Sequence, residues 1–433
     1  MKKICLTVVG MYFLFFHGFS QTHEQDSTAY KSKKLSLSEV SLVSSYYDQT
    51  ADKSAVMGGD PGPKGIADVT DFANGLDIKF VGWDKQNRKN SLTAGLGIDY
   101  HTAASQAYVN YNGTAINYGT RIYPTLEWIR ENESKGTTIG IGGYYSAEHN
   151  YYHSIGLNTS FSKKTHHNGE FGFKLTGYFD QIKMIYPSEF VVAPPAPKGT
   201  PDIRIDTLTT ASGQVRYVQV DPSGNVVGSV PKTTIPSRPR DTYTASFSFS
   251  QVINTRLDAS IQLDLVYQNG YLGLPFHRVY FNTPDSTYEK LPSTRVKLPI
   301  GLRINYFLGD NVILKGYYRF YVDSWGLNSQ TASLEIPIKI TAFFSLSPFY
   351  RFYLQNASRY FAPYKVHSVQ DPYYTSNYAL ASFISHFFGM GFRMAPPKGI
   401  FVKSLNSMEI RYGHYTQNIN LNANIISLNL NFK

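Results

Sequence analysis

The sequence predicts an all-β chain, a transmembrane antiparallel up-and-down β-barrel of about 16 strands, within a range of about 14–18. Three observations predict it. Segments alternating apolar and polar residues recur along nearly the whole chain, and the connections between them alternate between long and short. Tyrosine (34) and phenylalanine (28) are abundant, yet no apolar run of helix-spanning length, about 18 residues, follows the N-terminal leader. In an extended chain successive side chains point to opposite faces. RLDASIQLDLVYQNG (256–270) therefore offers Leu257, Ala259, Ile261, Leu263, Leu265 and Tyr267 on one face, and Asp258, Ser260, Gln262 and Asp264 on the other. The first face suits lipid and the second a watery interior.

Taken in order, the chain opens with Lys2 and Lys3 ahead of an apolar run from Ile4 through Phe16. With small residues before the proposed cut, residues 1–20 read as a secretory signal peptide removed after Ser20. Residues 21–36 then form a short periplasmic segment, too small for a transporter's plug, and 37–433 the barrel. The formal charge of +10 becomes +8 once Lys2 and Lys3 are gone, because residues 1–20 hold no acid. The only cysteine, Cys5, leaves with the leader, which excludes disulfides and thiol chemistry.

Strands are expected to start near 37, 74, 90, 118, 136, 151, 169, 241, 256, 294, 311, 331, 344, 378, 405 and 421. GLDIKFVGW alternates Leu76, Ile78 and Phe80 with Asp77 and Lys79. SLTAGLGIDYH continues the pattern, with Asp99 and His101 on its polar parity. In RVKLPIGLRINY the polar face is cationic, carrying Arg295, Lys297 and Arg303. Lys315, Arg319, Glu335, Lys339 and Arg351 extend that parity over the next three strands. Pro299, Pro337 and Pro348 interrupt the ladder donors, and a local bulge at each is the expected remedy.

Connections after odd-numbered strands are often long (48–73, 103–117, 183–240, 270–293, 356–377), and those after even-numbered strands are short. Long loops would be extracellular and tight turns periplasmic, with both chain ends in the periplasm. Residues 183–240 hold nine of the 22 prolines and two short-strand patterns, IRIDTLTT and GQVRYVQVD, before the turn DPSGN. The closing LNLNFK sets Leu428, Leu430 and Phe432 on one parity, like the signal read by the outer-membrane insertion machinery, with Lys433 after the aromatic. The rival fold is a soluble β-sandwich, which has no reason to alternate loop length. Lys and Arg are scattered rather than clustered, so no nucleic-acid partner is expected.

Three stretches, SSYYDQTADKSAVMGGDPGPKGIADVTD (44–71), GIDYHTAASQAYVN (97–110) and RYGHYTQNINLNANIISLNL (411–430), resemble a family of Bacteroidetes outer-membrane barrels known as domain of unknown function 3570. The resemblance implies the barrel, the outer membrane and no assigned activity. Its usual gene neighbours, flavin-transfer and thioredoxin-like proteins, imply a link to envelope redox work. Met57 stands where that family tends to have Thr before Gly-Gly.

Function is sought in the lumen. Arg295, Lys297, Arg303, Lys315, Arg319, Lys339 and Arg351 form a basic wall, and Asp77, Asp99, Asp258 and Asp264 lie on earlier strands. Opposed charge would tune a pore for small polar or anionic solutes. Gly58, Gly59 and Asp60 are candidates for a loop constriction, against a plain glycine turn. His101, His149 and His153 hint at a metal or acid–base site but lack a third ligand at diagnostic spacing, so no metal or cofactor is expected. No Ser–His or acid–His constellation singles out an enzyme; an outer-rim hydrolase is the remaining enzymatic reading. The other alternative is a closed, salt-bridged barrel serving as scaffold in an envelope complex, with a lipoprotein or periplasmic partner.

Overall fold

The alternating segments pair edge to edge in chain order, because each can satisfy its backbone only on its neighbours once one face meets lipid. The computed structural model describes residues 32–51, 68–102, 118–148, 151–187, 190, 203–209, 215–229 and 236–433. Around the barrel run β1 (Lys33–Ala51), β2 (Val69–Trp83), β3 (Lys89–Thr102), β4 (Tyr118–Asn132), β5 (Thr137–Glu148), β6 (Tyr152–Lys164), β7 (Gly169–Lys183) and β8 (Ser237–Asn254). They are followed by β9 (Leu257–Gly270), β10 (Thr294–Leu308), β11 (Val312–Asp323), β12 (Asn328–Glu335, resuming at Ile338–Lys339), β13 (Phe344–Gln355), β14 (Phe383–Met394), β15 (Leu405–Gln417) and β16 (Leu421–Phe432). Every neighbouring pair is antiparallel, and β1 pairs with both β2 and β16, from Val40↔Phe432 to Ala51↔Leu421, which closes the sheet. Closure removes the edges that would otherwise drive aggregation.

Register fixes which parity faces out. Leu42↔Leu76, Leu76↔Leu96 and Ile141↔Thr159 lie on the outer face, and Ile141 and Leu157, on adjacent strands, stay 59% and 58% exposed. Side chains so bare on neighbouring strands have no protein to bury against, so their solvent is lipid. Outward aromatics bound this aliphatic band at both ends: Tyr46, Phe72, Tyr100 and Tyr145 toward one rim, Trp128, Phe161, Phe171 and Phe249 toward the other. These are the two girdles that the aromatic excess anticipates.

The strand starts fall within a few residues of expectation; β1 begins at Lys33 rather than near 37, and β14 at Phe383 rather than near 378. The expected proline bulges do not form. Across Pro337 the pairing runs from Lys315↔Glu335 to Val312↔Ile338 without a slip, and Pro299↔Tyr321 and Pro348↔Met390 sit in continuous ladders. A proline removes one donor but leaves its carbonyl: Pro348 still accepts the Ile336 N–H at 3.0 Å, so no extra residue is needed. The leader 1–20, most of segment 21–36, Gly58, Gly59, Asp60 and His149 lie outside the described residues.

The two rims differ. One carries the short connections, such as 84–88, where Asp84 accepts the Gln86 and Arg88 N–H groups and Asn87 takes φ 58°. The other carries the long ones. Within 183–240 a separate three-stranded sheet (Arg204–Thr209, Val215–Val220, Val226–Ser229) turns at Asp221–Asn225, adding a third strand to the two legible in sequence. Segments 271–293 and 356–382 pack on each other, bridged at Phe281↔His367 and Lys290↔Tyr374. Tyr151, in the β5–β6 turn, packs on Phe276 of the first segment at 5.8 Å. Trp325, Leu327 and Leu380 form a second apolar cluster with Leu272 and Tyr360. Such contacts join connections rooted strands apart, so they run as chords over the mouth from β5 to β14. That sector of the lumen is roofed, and the roof holds more of the buried apolar side chains than the barrel wall does.

Candidate functional site

Every charged residue proposed for the lumen lies on the inward parity of its strand. Inward here is demonstrated by contact: Arg411 on β15 reaches Glu335 on β12 at 2.9 Å, past two intervening strands, which is feasible only from the concave side. The basic residues split into two groups. Arg295 is partly buried and ion-paired with Asp323, whose carboxylate is fully buried, and Lys315 lies 3.7 Å from Glu335. Arg303, Arg319, Arg351, Lys297 and Lys339 have no carboxylate at ion-pair distance among the described residues. Arg303 and Arg351 share one hydrogen-bonded row, Ser260–Arg303–Tyr317–Ser333–Arg351–Phe387, and Arg319 lies one inward row away beside Gly301 and Thr331. Three guanidiniums without an ion-pair carboxylate among the described residues therefore line one wall, spread over β10 to β13. Each leans over an aromatic ring: Arg303 over Tyr317 at 5.7 Å, Arg319 over Tyr321 at 5.9 Å and Arg351 over Phe387 at 4.9 Å. The stems are thus held to the wall while the charge stays in the aqueous lumen.

The acids are arranged less symmetrically than two opposed walls would require. Asp258 and Asp264 lie on β9, next to the basic wall, where Asn305 donates to Asp258 at 2.8 Å and Gln262 to Asp264 at 3.2 Å. Of these four acids, Asp77 and Asp99, on β2 and β3, face the basic wall across the ring. Asp99 is neutralised by Arg121 at 2.9 Å and accepts the Tyr123 hydroxyl at 3.0 Å. His101 joins this cluster, its Nε2 3.4 Å from Glu148. His153 does not: it pairs with Ala147 on the outward, exposed parity, one residue from inward Ser154, so it and His101 lie on opposite faces of the sheet. Ser146 and Tyr152, hydroxyls near this cluster, bond one another at 3.0 Å. Among the described residues no group of three or more His, Cys, Asp or Glu is arranged to hold a metal.

Glycine shapes the wall. The Tyr123 ring lies flat on Gly97 of the neighbouring strand, so that any Cβ there would overlap the ring, and Tyr178 and Tyr144 lie 2.7 and 3.0 Å from where a Gly156 Cβ would stand. Large rings are thereby laid along the wall instead of across the lumen. Gly97→Ala is expected to push Tyr123 off Asp99 and destabilise the barrel by about 1–3 kcal/mol. Thermal unfolding in detergent checks this; an unchanged midpoint would mean that the ring relocates without loss.

Sequence parity alone could have found Arg121, Arg411 and Asp323, which continue the inward series of their strands. It offers no signal for Glu289, which is fully buried in the roof, where Leu274 N–H and the Thr375 hydroxyl donate to its two oxygens.

Residues 99–429 match the model of the family described as "Protein of unknown function (DUF3570)". No curated protein matches the sequence. Similar solved structures include a mutant of the TodX monoaromatic hydrocarbon channel, 9% identical over 93% of this chain and 90% of that one, TM-score 0.36. A bacterial polysaccharide outer membrane secretin is 8% identical over 91% and 98% of the two chains, TM-score 0.42. OccAB3 of Acinetobacter baumannii is 11% identical over 93% and 99%, TM-score 0.34.

Proposed function

We propose that this chain, which belongs to the DUF3570 family of proteins of unknown function, is a non-enzymatic outer-membrane channel for small anionic solutes. In this reading residues 1–20 export it into a Bacteroidetes envelope and are cut after Ser20, and the rim with the long connections faces outward. The observation that carries the proposal is the run of lumen guanidiniums, Arg303, Arg319 and Arg351, without carboxylate partners among the described residues. Uncompensated cations in a confined aqueous path raise the local anion concentration and repel cations.

The test is single-channel recording of the refolded mature protein in a planar bilayer under a salt gradient. Wild type is expected to give an anion-selective reversal potential. The triple variant Arg303→Gln/Arg319→Gln/Arg351→Gln should lose most of that selectivity while still conducting. Cation preference in the wild type would overturn the assignment.

The roof favours a second reading. A mouth covered from β5 to β14 suits a closed barrel that anchors an envelope lipoprotein or periplasmic protein, with the redox setting of the family's gene neighbours as its context. Silence in the bilayer together with a stoichiometric partner on purification from native membrane would select this reading.

A further inference from the structure

The lumen wall between β12 and β16 is indented by a recess of about 260 Å³. Part of its lining is the packed ring pair of Phe349 and Phe387, with centroids 5.1 Å apart and planes inclined at 49°. Gly413 lets the rings lie where they do: a Cβ there would stand 2.5 Å from Phe387 and 3.2 Å from Phe349. A guanidinium caps each ring, Arg351 over Phe387 at 4.9 Å and Arg411 over Phe349 at 5.0 Å. The two cations are not equivalent. Arg411 donates to Glu335 at 2.9 Å and to Glu409 at 3.0 Å, so its charge is already answered. Arg351 has no carboxylate partner among the described residues, and Ser333 stands beside it in register.

The recess therefore offers one uncompensated cation, one hydroxyl and the aromatic surface that the phenylalanine pair leaves uncovered. A single negative charge satisfies it; a dianion would set its second charge against Glu335, and a cation would meet Arg351. The volume lies just under the roughly 300–1,000 Å³ of sites for drug-sized ligands, which limits the occupant to a small solute. We infer that this recess is a binding site for small monocarboxylates with a flat apolar body, aromatic acids being the best fit. The inference deepens the channel reading, and it rests on that reading only for the route by which a solute arrives.

Benzoate is the probe, titrated calorimetrically into the full mature protein in detergent, where binding needs no conduction. One saturable site is expected. Acetate, which lacks the ring, and benzyl alcohol, which lacks the charge, should each bind at least about tenfold more weakly. Arg351→Gln should weaken benzoate by about tenfold or more, whereas Lys79→Gln, the same charge change on a distant strand, should leave it unaltered. Equal binding of benzyl alcohol, equal loss in Lys79→Gln, or no saturable benzoate site would each overturn the inference. If Arg351→Gln does not refold, the wild-type ratios among the three probes decide alone. Saturable benzoate binding by a protein silent in the bilayer would sink the channel and keep the site; anion current without benzoate binding would do the reverse.

Discussion

Asp323→Ala is expected to lower the unfolding free energy by roughly 3–5 kcal/mol, because it strips a buried ion pair of one partner and leaves the other charge uncompensated. The Asp323 carboxylate, fully buried, takes Arg295 Nε at 2.9 Å and a second, shorter bond from Nη2. It also accepts the Tyr321 hydroxyl at 2.7 Å and the Trp325 and Leu327 N–H groups at 2.9 and 3.2 Å. Arg295 in turn lies 4.2 Å from the Trp325 ring, whose Nε1 donates to the Thr294 carbonyl at 3.0 Å. One carboxylate thus ties the lumen wall at β10 and β11 to the apolar cluster under the roof. The two halves of the pair are not equivalent. Arg295→Met leaves Asp323 with three donors and removes only the cation, so it should cost less than Asp323→Ala. Equilibrium unfolding in detergent measures both, and hydrogen exchange should show the Asp323→Ala loss first around Trp325 and Leu380. A loss below about 1 kcal/mol would mean that the pair is screened by lumen water.

Asp323 also marks how far the sequence could be read. Parity along a strand is imposed residue by residue by the two solvents, so the faces of Asp258, Arg303 or Arg351 follow directly from alternation, and the barrel with them. Which row of one strand meets which row of the next depends on backbone register, and alternation is silent on that. Arg411 and Glu335 were therefore legible as inward residues but not as partners, whereas chain order alone places the acids of β9 beside the cations on β10, against the expectation of opposed walls. The prolines misled for a related reason: alternation registers the missing donor but not the carbonyl that remains. The roof was illegible because segments 271–293 and 356–382 carry no period. Their order comes from chords such as Tyr151 on Phe276, made by residues far apart in the chain.

The same roof yields a pH-dependent stability with a definite sign. Glu289 is 1% exposed, and burial pushes its carboxyl up from 4.5 to about 7, against the opposing pull of the Thr375 hydroxyl and the Leu274 N–H. The folded roof then holds a proton that the unfolded chain has already released. Its stability is full below about pH 4.5, falls as pH rises towards 7, and levels off above that, a change on the order of 3 kcal/mol. Glu289→Gln, neutral at every pH, should keep the amides of 271–293 and 356–382 protected at pH 8 and flatten the dependence, read as exchange rates corrected for intrinsic chemistry. Other titratable groups surround it. Tyr271 on its own segment and Tyr151 from the β5–β6 turn are both raised by burial, out of this range. His277 and Arg278 lie in the same hairpin, and His367 of the second segment bonds Asp371 at 3.1 Å and the Thr375 carbonyl at 2.9 Å. The Gln variant alters the carboxyl alone among these groups, and that is why it decides. If the roof of Glu289→Gln still loosens between pH 5 and 7, a group other than this carboxyl is responsible; if it no longer does, a single buried carboxyl sets how firmly this mouth of the barrel is covered.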